Sequence, residues 1–113
     1  YKFNLLEVDA EHAEQLKSQY GFYTDITVPA GTYTPVDKDV KTVAVMATLA
    51  CRNDVPTEVV YEFTKGMFEL KDKLGAAGFK DKFDLVDQTT AVTGSTVPFH
   101  PGAEPYFKEI GAM

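Results

Sequence analysis

The stretch VPFHPGAEPYFKEI places His100 between an apolar pair and a Pro-Gly turn, just ahead of a short helical pattern. An imidazole there is either a catalytic base or a hydrogen-bonding anchor for a chain segment. Catalysis needs a second titratable group to orient it, and Asp87 or Glu104 are the candidates. The chain has only two histidines and one cysteine. His12 and His100 lie far apart, and neither has the HxxxH or CxxC companion that metal ligation requires. Asp37-Lys38-Asp39 lacks the glycine and closing glutamate of a calcium loop. Ser18 and Ser95 stand in no GxSxG turn, and phosphate loops of GxGxxG or GxxxxGK[ST] type are absent. Glu58 and Glu62 fall one helical turn apart on a polar face, which reads as solvated surface. No residue pattern here amounts to an enzyme.

The loop VPAGTY is the other place where polar groups gather. It follows a strand and offers backbone N–H groups, the Thr32 hydroxyl and the Tyr33 phenol. Ligands of α/β proteins bind in crevices beside such loops. The alternative is a plain turn with Tyr33 packed over it.

Composition narrows the classes. A net charge of -6 with scattered basic residues excludes a nucleic-acid surface and an anionic-membrane surface. Cys51 lies in the apolar run VAVMATLAC and reads as a buried, inert thiol that allows no intrachain disulfide. That run is too short to span a bilayer. The start of the chain carries no charged segment, apolar segment and cleavage site in series.

These residues need elements to position them. FNLLEV at 3–8 reads as a buried strand. Asp9 follows as an N-cap, and Ala13, Leu16 and Tyr20 form one face of a helix that Gly21 ends in a left-handed stop. A second strand over 22–28 alternates, and 42–51 reads as a strand covered on both faces. Pro56 suits the first turn of a long helix whose stripe is Val60, Phe63, Met67, Leu70 and Leu74, with Gly75 and Gly78 closing it. Gly66, beside that stripe, marks a close approach by another element. DLVDQTTAV has room for a helical turn or two, TGST turns, and 105–110 is a short helix. The order of elements predicts an α/β fold with a largely parallel sheet flanked by helices.

Three stretches in this order carry a resemblance: ITVPAGTYTPVDKDVKTVAVMATLACRNDVP, EVVYEFTKGMF and VPFHPGAEPYFKEIG. Together they resemble the C-terminal part of the TAXI family of TRAP-transporter solute receptors. That family has an I-P-x-x-T-Y loop, a T-V-A-V strand, a D-[LV]-P-x-[DE]-[LV]-V-Y helix and a terminal P-[LF]-H-P-G-A-x-x-[YF][YF]-x-E motif. Here the matching residues are 28–33, 42–45, 54–61 and 98–109.

The resemblance implies part of a type II periplasmic-binding-protein-like fold. Residues 1–40 would belong to one lobe, 41–53 would form a crossing strand, and 54–113 would complete the other lobe. It implies an extracytoplasmic, non-enzymatic receptor that captures a small organic anion such as glutamate, 2-oxoglutarate or a dicarboxylate. Delivery would be to TRAP membrane permease subunits, without a cofactor. Its signal peptide and N-terminal lobe would lie upstream of the residues given. Tyr33 and Thr32 match the loop that faces the cleft, and His100 becomes a clasp for the terminal helix. A lobe parted from its partner strands would expose sheet edges and apolar faces and would self-associate. The alternative reading is a ligand-sensing or protein-interaction module without a transport role.

Overall fold

The computed structural model describes residues 3–113, apart from the side chains of Phe79 and Asp81. They form two compact units: one runs to Ala47 and takes in Gly94–Thr96, the other comprises Thr48–Thr93 and Val97–Met113.

In the first unit, helix α1 spans Ala10–Gln19. It starts where Asp9, in extended backbone, accepts the His12 backbone N–H at 3.0 Å. The cap satisfies one of the donors that every helix start leaves unpaired. The helix ends at an extended Tyr20, and Gly21 has no left-handed backbone, so the expected glycine stop is not used. Strands β1 (Tyr23–Val28) and β2 (Val40–Val45) pair antiparallel, from Tyr23 opposite Val45 to Val28 opposite Val40. Ala13 and Val40 are buried in this unit.

Three expectations are corrected here. The largely parallel sheet is not what the described residues form; their sheet has two antiparallel strands. The cause is local, since loop 29–39 is shorter than the helical crossover that a parallel pair needs. Residues 3–8 form no strand, and Leu6 is 81% exposed. That segment meets β2 where the Val8 N–H donates to the Lys41 carbonyl at 3.0 Å. Finally, β2 stops at Val45, and Cys51 is exposed rather than buried.

In the second unit, helix α2 spans Thr57–Glu69 and buries Val60 and Thr64. The Thr64 hydroxyl donates back to the Val60 carbonyl at 2.7 Å, which satisfies it inside the core. A short helix α3 (Lys71–Leu74), a π-helical stretch (Gly75–Phe79) and α4 (Lys80–Phe83) follow, with a kink at Gly78, φ 108°. Residues 84–102 hold turns but no helix, so DLVDQTTAV is not helical. Helix α5 (Ala103–Glu109) packs on α2.

The core of this unit is Val60, Ala103 and Phe107, surrounded by Val55, Phe68, Phe99 and Ile110 among others. Phe107 meets Phe99 edge-on at 5.5 Å and Phe68 at 6.4 Å between ring centroids. Gly102 permits this approach: a Cβ there would strike the Thr57 carbonyl and stand 2.9 Å from the Val60 Cβ. The phase of α2 differs from the expected stripe. Phe63 and Leu70 are exposed, while Thr64 is buried, because α5 with its aromatic rings covers the 60–64 side. No heavy atom stands within 4 Å of the place a Gly66 Cβ would take, so the expected close approach is not made.

Candidate ligand-binding loop

Loop 29–39 joins β1 to β2 and is closed by its own hydrogen bonds. Gly31, at φ 81°, donates its N–H to the Val36 carbonyl at 2.8 Å, and Val36 donates to the Tyr33 carbonyl at 2.8 Å. The positive φ is accessible to glycine without steric cost, which is why the turn has glycine there. Pro29 presents its carbonyl to both the backbone N–H and the hydroxyl of Thr32, at 3.2 and 2.8 Å. Asp39 reaches back from the end of the loop to accept the Ala30 N–H at 2.9 Å. Val36 is buried beneath.

This accounting decides what the loop offers a ligand. The N–H groups of Ala30, Gly31, Thr32 and Val36 are all spent within the loop, so none of these four is left to grip an anion. The Thr32 hydroxyl donates to Pro29 and keeps only acceptor capacity. The Tyr33 phenol is one of the exposed polar groups of the loop, with the side chains of Thr34, Asp37 and Lys38. Its ring is 49% exposed and meets Phe3 edge-on at 5.9 Å. Thr32 and Tyr33 are neighbours in sequence, but Thr32 serves the loop while Tyr33 faces outward.

A separate groove of about 370 Å³ lies in the same unit, with Val8, Ala13, Ile26 and Lys41 among its lining residues. Glu14 and Asp25 stand on its rim, bridged by the Lys17 ammonium. Those two carboxylates hold the Lys17 ammonium above the usual lysine range, Asp25 contributing most. Neither Thr32 nor Tyr33 lines this groove.

His100, in the second unit, accepts the Gly102 backbone N–H on Nδ1 at 3.0 Å, and its carbonyl accepts from Ala103 at 2.8 Å. An accepting Nδ1 assigns the neutral imidazole's proton to Nε2. That Nε2 is buried and makes no hydrogen bond. Glu104 turns to Lys108 at 3.4 Å, and Asp87 accepts from Thr89. The oriented base that catalysis would require is therefore not assembled, and His100 shapes the turn into α5.

Of the other candidates, Glu58 and Glu62 are exposed, and Asp39 is committed to the loop. Among the described residues no group of three histidine, cysteine or carboxylate side chains could hold a metal ion, and no helix is long and apolar enough to cross a membrane. Sequence reasoning missed one clasp. The Tyr61 phenol donates to the Glu109 carboxylate, tying α2 to the end of α5. Both residues lie inside the quoted motif stretches, which was the signal available.

Comparison with protein-family models supplies what the geometry alone does not. The NMT1-like family model matches residues 1–111. The chain belongs to the NMT1-like family. This is a periplasmic-binding-protein-like family of solute- or ligand-binding receptor domains, generally without enzymatic activity and typically extracytoplasmic. The mixed α/β composition of the described residues is consistent with such a fold. NMT1-like membership also gives the loop a context, since a receptor domain of this kind takes a small-molecule ligand.

Proposed function

We propose that this NMT1-like chain is the C-terminal portion of an extracytoplasmic solute receptor of the TAXI type, serving a TRAP secondary transporter. It takes a small organic anion for delivery to the membrane permease. Residues 1–40 belong to one lobe, 41–53 form the crossing segment and 54–113 complete the second lobe. In support, the chain passes from one compact unit to the other at Ala47–Thr48, inside the proposed crossing segment. A preceding lobe of the same polypeptide supplies the remainder of the cleft. The exposed Leu6, Ile26 and Val45 suit such a neighbour.

The observation that carries the ligand reading is the loop's internal accounting. With the N–H groups of Ala30, Gly31, Thr32 and Val36 spent, the Tyr33 O–H can donate to a carboxylate and the Thr32 oxygen can accept. A ligand with both a carboxylate and an ammonium uses both, so glutamate is favoured over 2-oxoglutarate and over four-carbon dicarboxylates. Calorimetry on the complete receptor with these three ligands tests the reading. Binding strongest for glutamate, weakened by Tyr33→Phe, supports it; no heat with any small acid sinks it.

A further inference from the structure

The loop's hydrogen bonds fix the backbone at Tyr33 but leave its side chain to turn. Val36 donates to the Tyr33 carbonyl at 2.8 Å, and the bond from Gly31 to Val36 closes the turn around it. The first rotatable bond of the side chain has three staggered wells open to it. Among the described residues the phenol makes no hydrogen bond, and one other ring meets it. That ring is Phe3, edge-on, with centroids 5.9 Å apart and planes at 72°. Aromatic pairs prefer this spacing and angle, because the positive edge of one ring is drawn to the negative face of the other.

We infer that Phe3 is the positioning residue of the Tyr33 phenol, a role that rests on Tyr33 being the ligand contact proposed above. Phe3 belongs to a segment tied to the start of β2. The Val8 N–H donates to the Lys41 carbonyl at 3.0 Å, and the Glu7 carboxylate accepts the Lys41 N–H at 3.4 Å. The chain from Val8 back to Phe3 reaches at most about 17 Å, so the tether keeps the Phe3 ring near this end of the strand. Loop 29–39 runs into the same end of β2, at Val40. Both rings are therefore carried from one anchor. Phe3 and Tyr33 are 45% and 49% exposed, so their contact leaves the phenol open to a ligand.

The size of the effect follows from populations. A ligand binds the molecules whose phenol points at it, and its apparent affinity falls in proportion to that fraction. With Phe3 gone and the wells about equally filled, roughly one molecule in three is competent, a loss of about threefold in affinity. A ring that only filled space would behave differently. Its removal would weaken binding whether or not residue 33 carried a hydroxyl. Phe3→Leu keeps apolar bulk without the ring, and Phe3→Tyr keeps the ring.

Two measurements on the complete receptor test the pair. The first needs no ligand: fluorine NMR of receptor labelled with fluorotyrosine, the Tyr33 signal being the one lost in Tyr33→Phe. Phe3→Leu should move that signal toward the position of free fluorotyrosine. The second is calorimetry with glutamate. Phe3→Leu should weaken binding about threefold when Tyr33 is present and leave it unchanged in the Tyr33→Phe background. Phe3→Tyr should bind as the parent does. A Tyr33 signal indifferent to Phe3→Leu overturns the proposal, as does an equal loss of affinity in both backgrounds. So does an affinity that Tyr33→Phe lowers and Phe3→Leu does not. Glutamate binding that ignores Tyr33→Phe, while the signal still answers to Phe3→Leu, would instead sink the ligand reading and leave the positioning of the ring standing.

Discussion

The Tyr61 phenol donates to both carboxylate oxygens of Glu109, at 3.1 and 2.9 Å, across 48 positions of sequence. The bond holds the phenol's proton and raises its pKa, with burial and the Glu109 charge as smaller causes. The sign follows directly. A phenol whose folded pKa is raised adds stability that is fully present below the unfolded value of about 10 and fades as pH rises through the folded value. Urea melts on the alkaline side should therefore show a loss of stability that is smaller in Tyr61→Phe. Identical pH profiles for the two proteins would remove the clasp's role.

At Gly102 the surroundings are rigid. Gly102→Ala sets a methyl against the Thr57 carbonyl and the Val60 Cβ, and backbone cannot step aside cheaply. The expected cost is about 1–3 kcal/mol of stability, as for other overpacked sites. Phe107→Ala opens the core from inside and should cost about 3–5 kcal/mol. Denaturant midpoints of the two variants check both values, and a neutral Gly102→Ala would mean that α5 can slide on α2.

His100 makes a narrower prediction. His100→Asn keeps a side-chain acceptor near the Gly102 N–H, whereas His100→Ala removes it. Amide exchange at Gly102 should accelerate clearly in the alanine variant and less in the asparagine one. Equal protection in all three proteins would show that the imidazole contributes packing alone.

On the acid side, Asp9 and Asp87 both hold their protons less readily than an ordinary aspartate. For Asp9 the main cause is the His12 backbone N–H, and for Asp87 it is the Thr89 hydroxyl. A depressed carboxylate contributes stability above its unfolded pKa of about 3.9 and loses it as pH falls through the folded value. Acid unfolding should be flatter in Asp9→Asn and in Asp87→Asn than in the parent chain. Thermal melts at descending pH supply the measurement.

Loop closure has its own test. Asp39→Ala deletes the acceptor of the Ala30 N–H, while Asp39→Asn retains an amide oxygen in its place. Exchange of the Ala30 amide should quicken in the first and change little in the second. If neither variant alters it, Val36 and the Gly31 turn hold the loop without the clip.

Elements governed by neighbours in sequence were readable there. The Asp9 cap, the Gly31 turn, α2 and α5 all follow from local rules, whereas spacing left the role of His100 open and the family resemblance implied its clasp. Features set by the partner surface were not. An apolar hexamer such as FNLLEV becomes a strand only when another strand pairs with it, and here it meets β2 near Lys41. Cys51 sits in an apolar run, yet nothing in that run says where β2 must end. The rotation of α2 was equally hidden. Two apolar arcs coexist on that helix, and only the arrival of α5 chooses between them. At the loop, residue types named Thr32 and Tyr33 together, but only the hydrogen bonds divide their labour.

That division bears on how such a protein diversifies. Because Pro29, Gly31, Val36 and Asp39 hold the turn without help from Tyr33's side chain, natural variation at position 33 meets no folding penalty from the loop. Substitutions there can then exchange the exposed group by single steps that leave the hydrogen bonds of the turn in place.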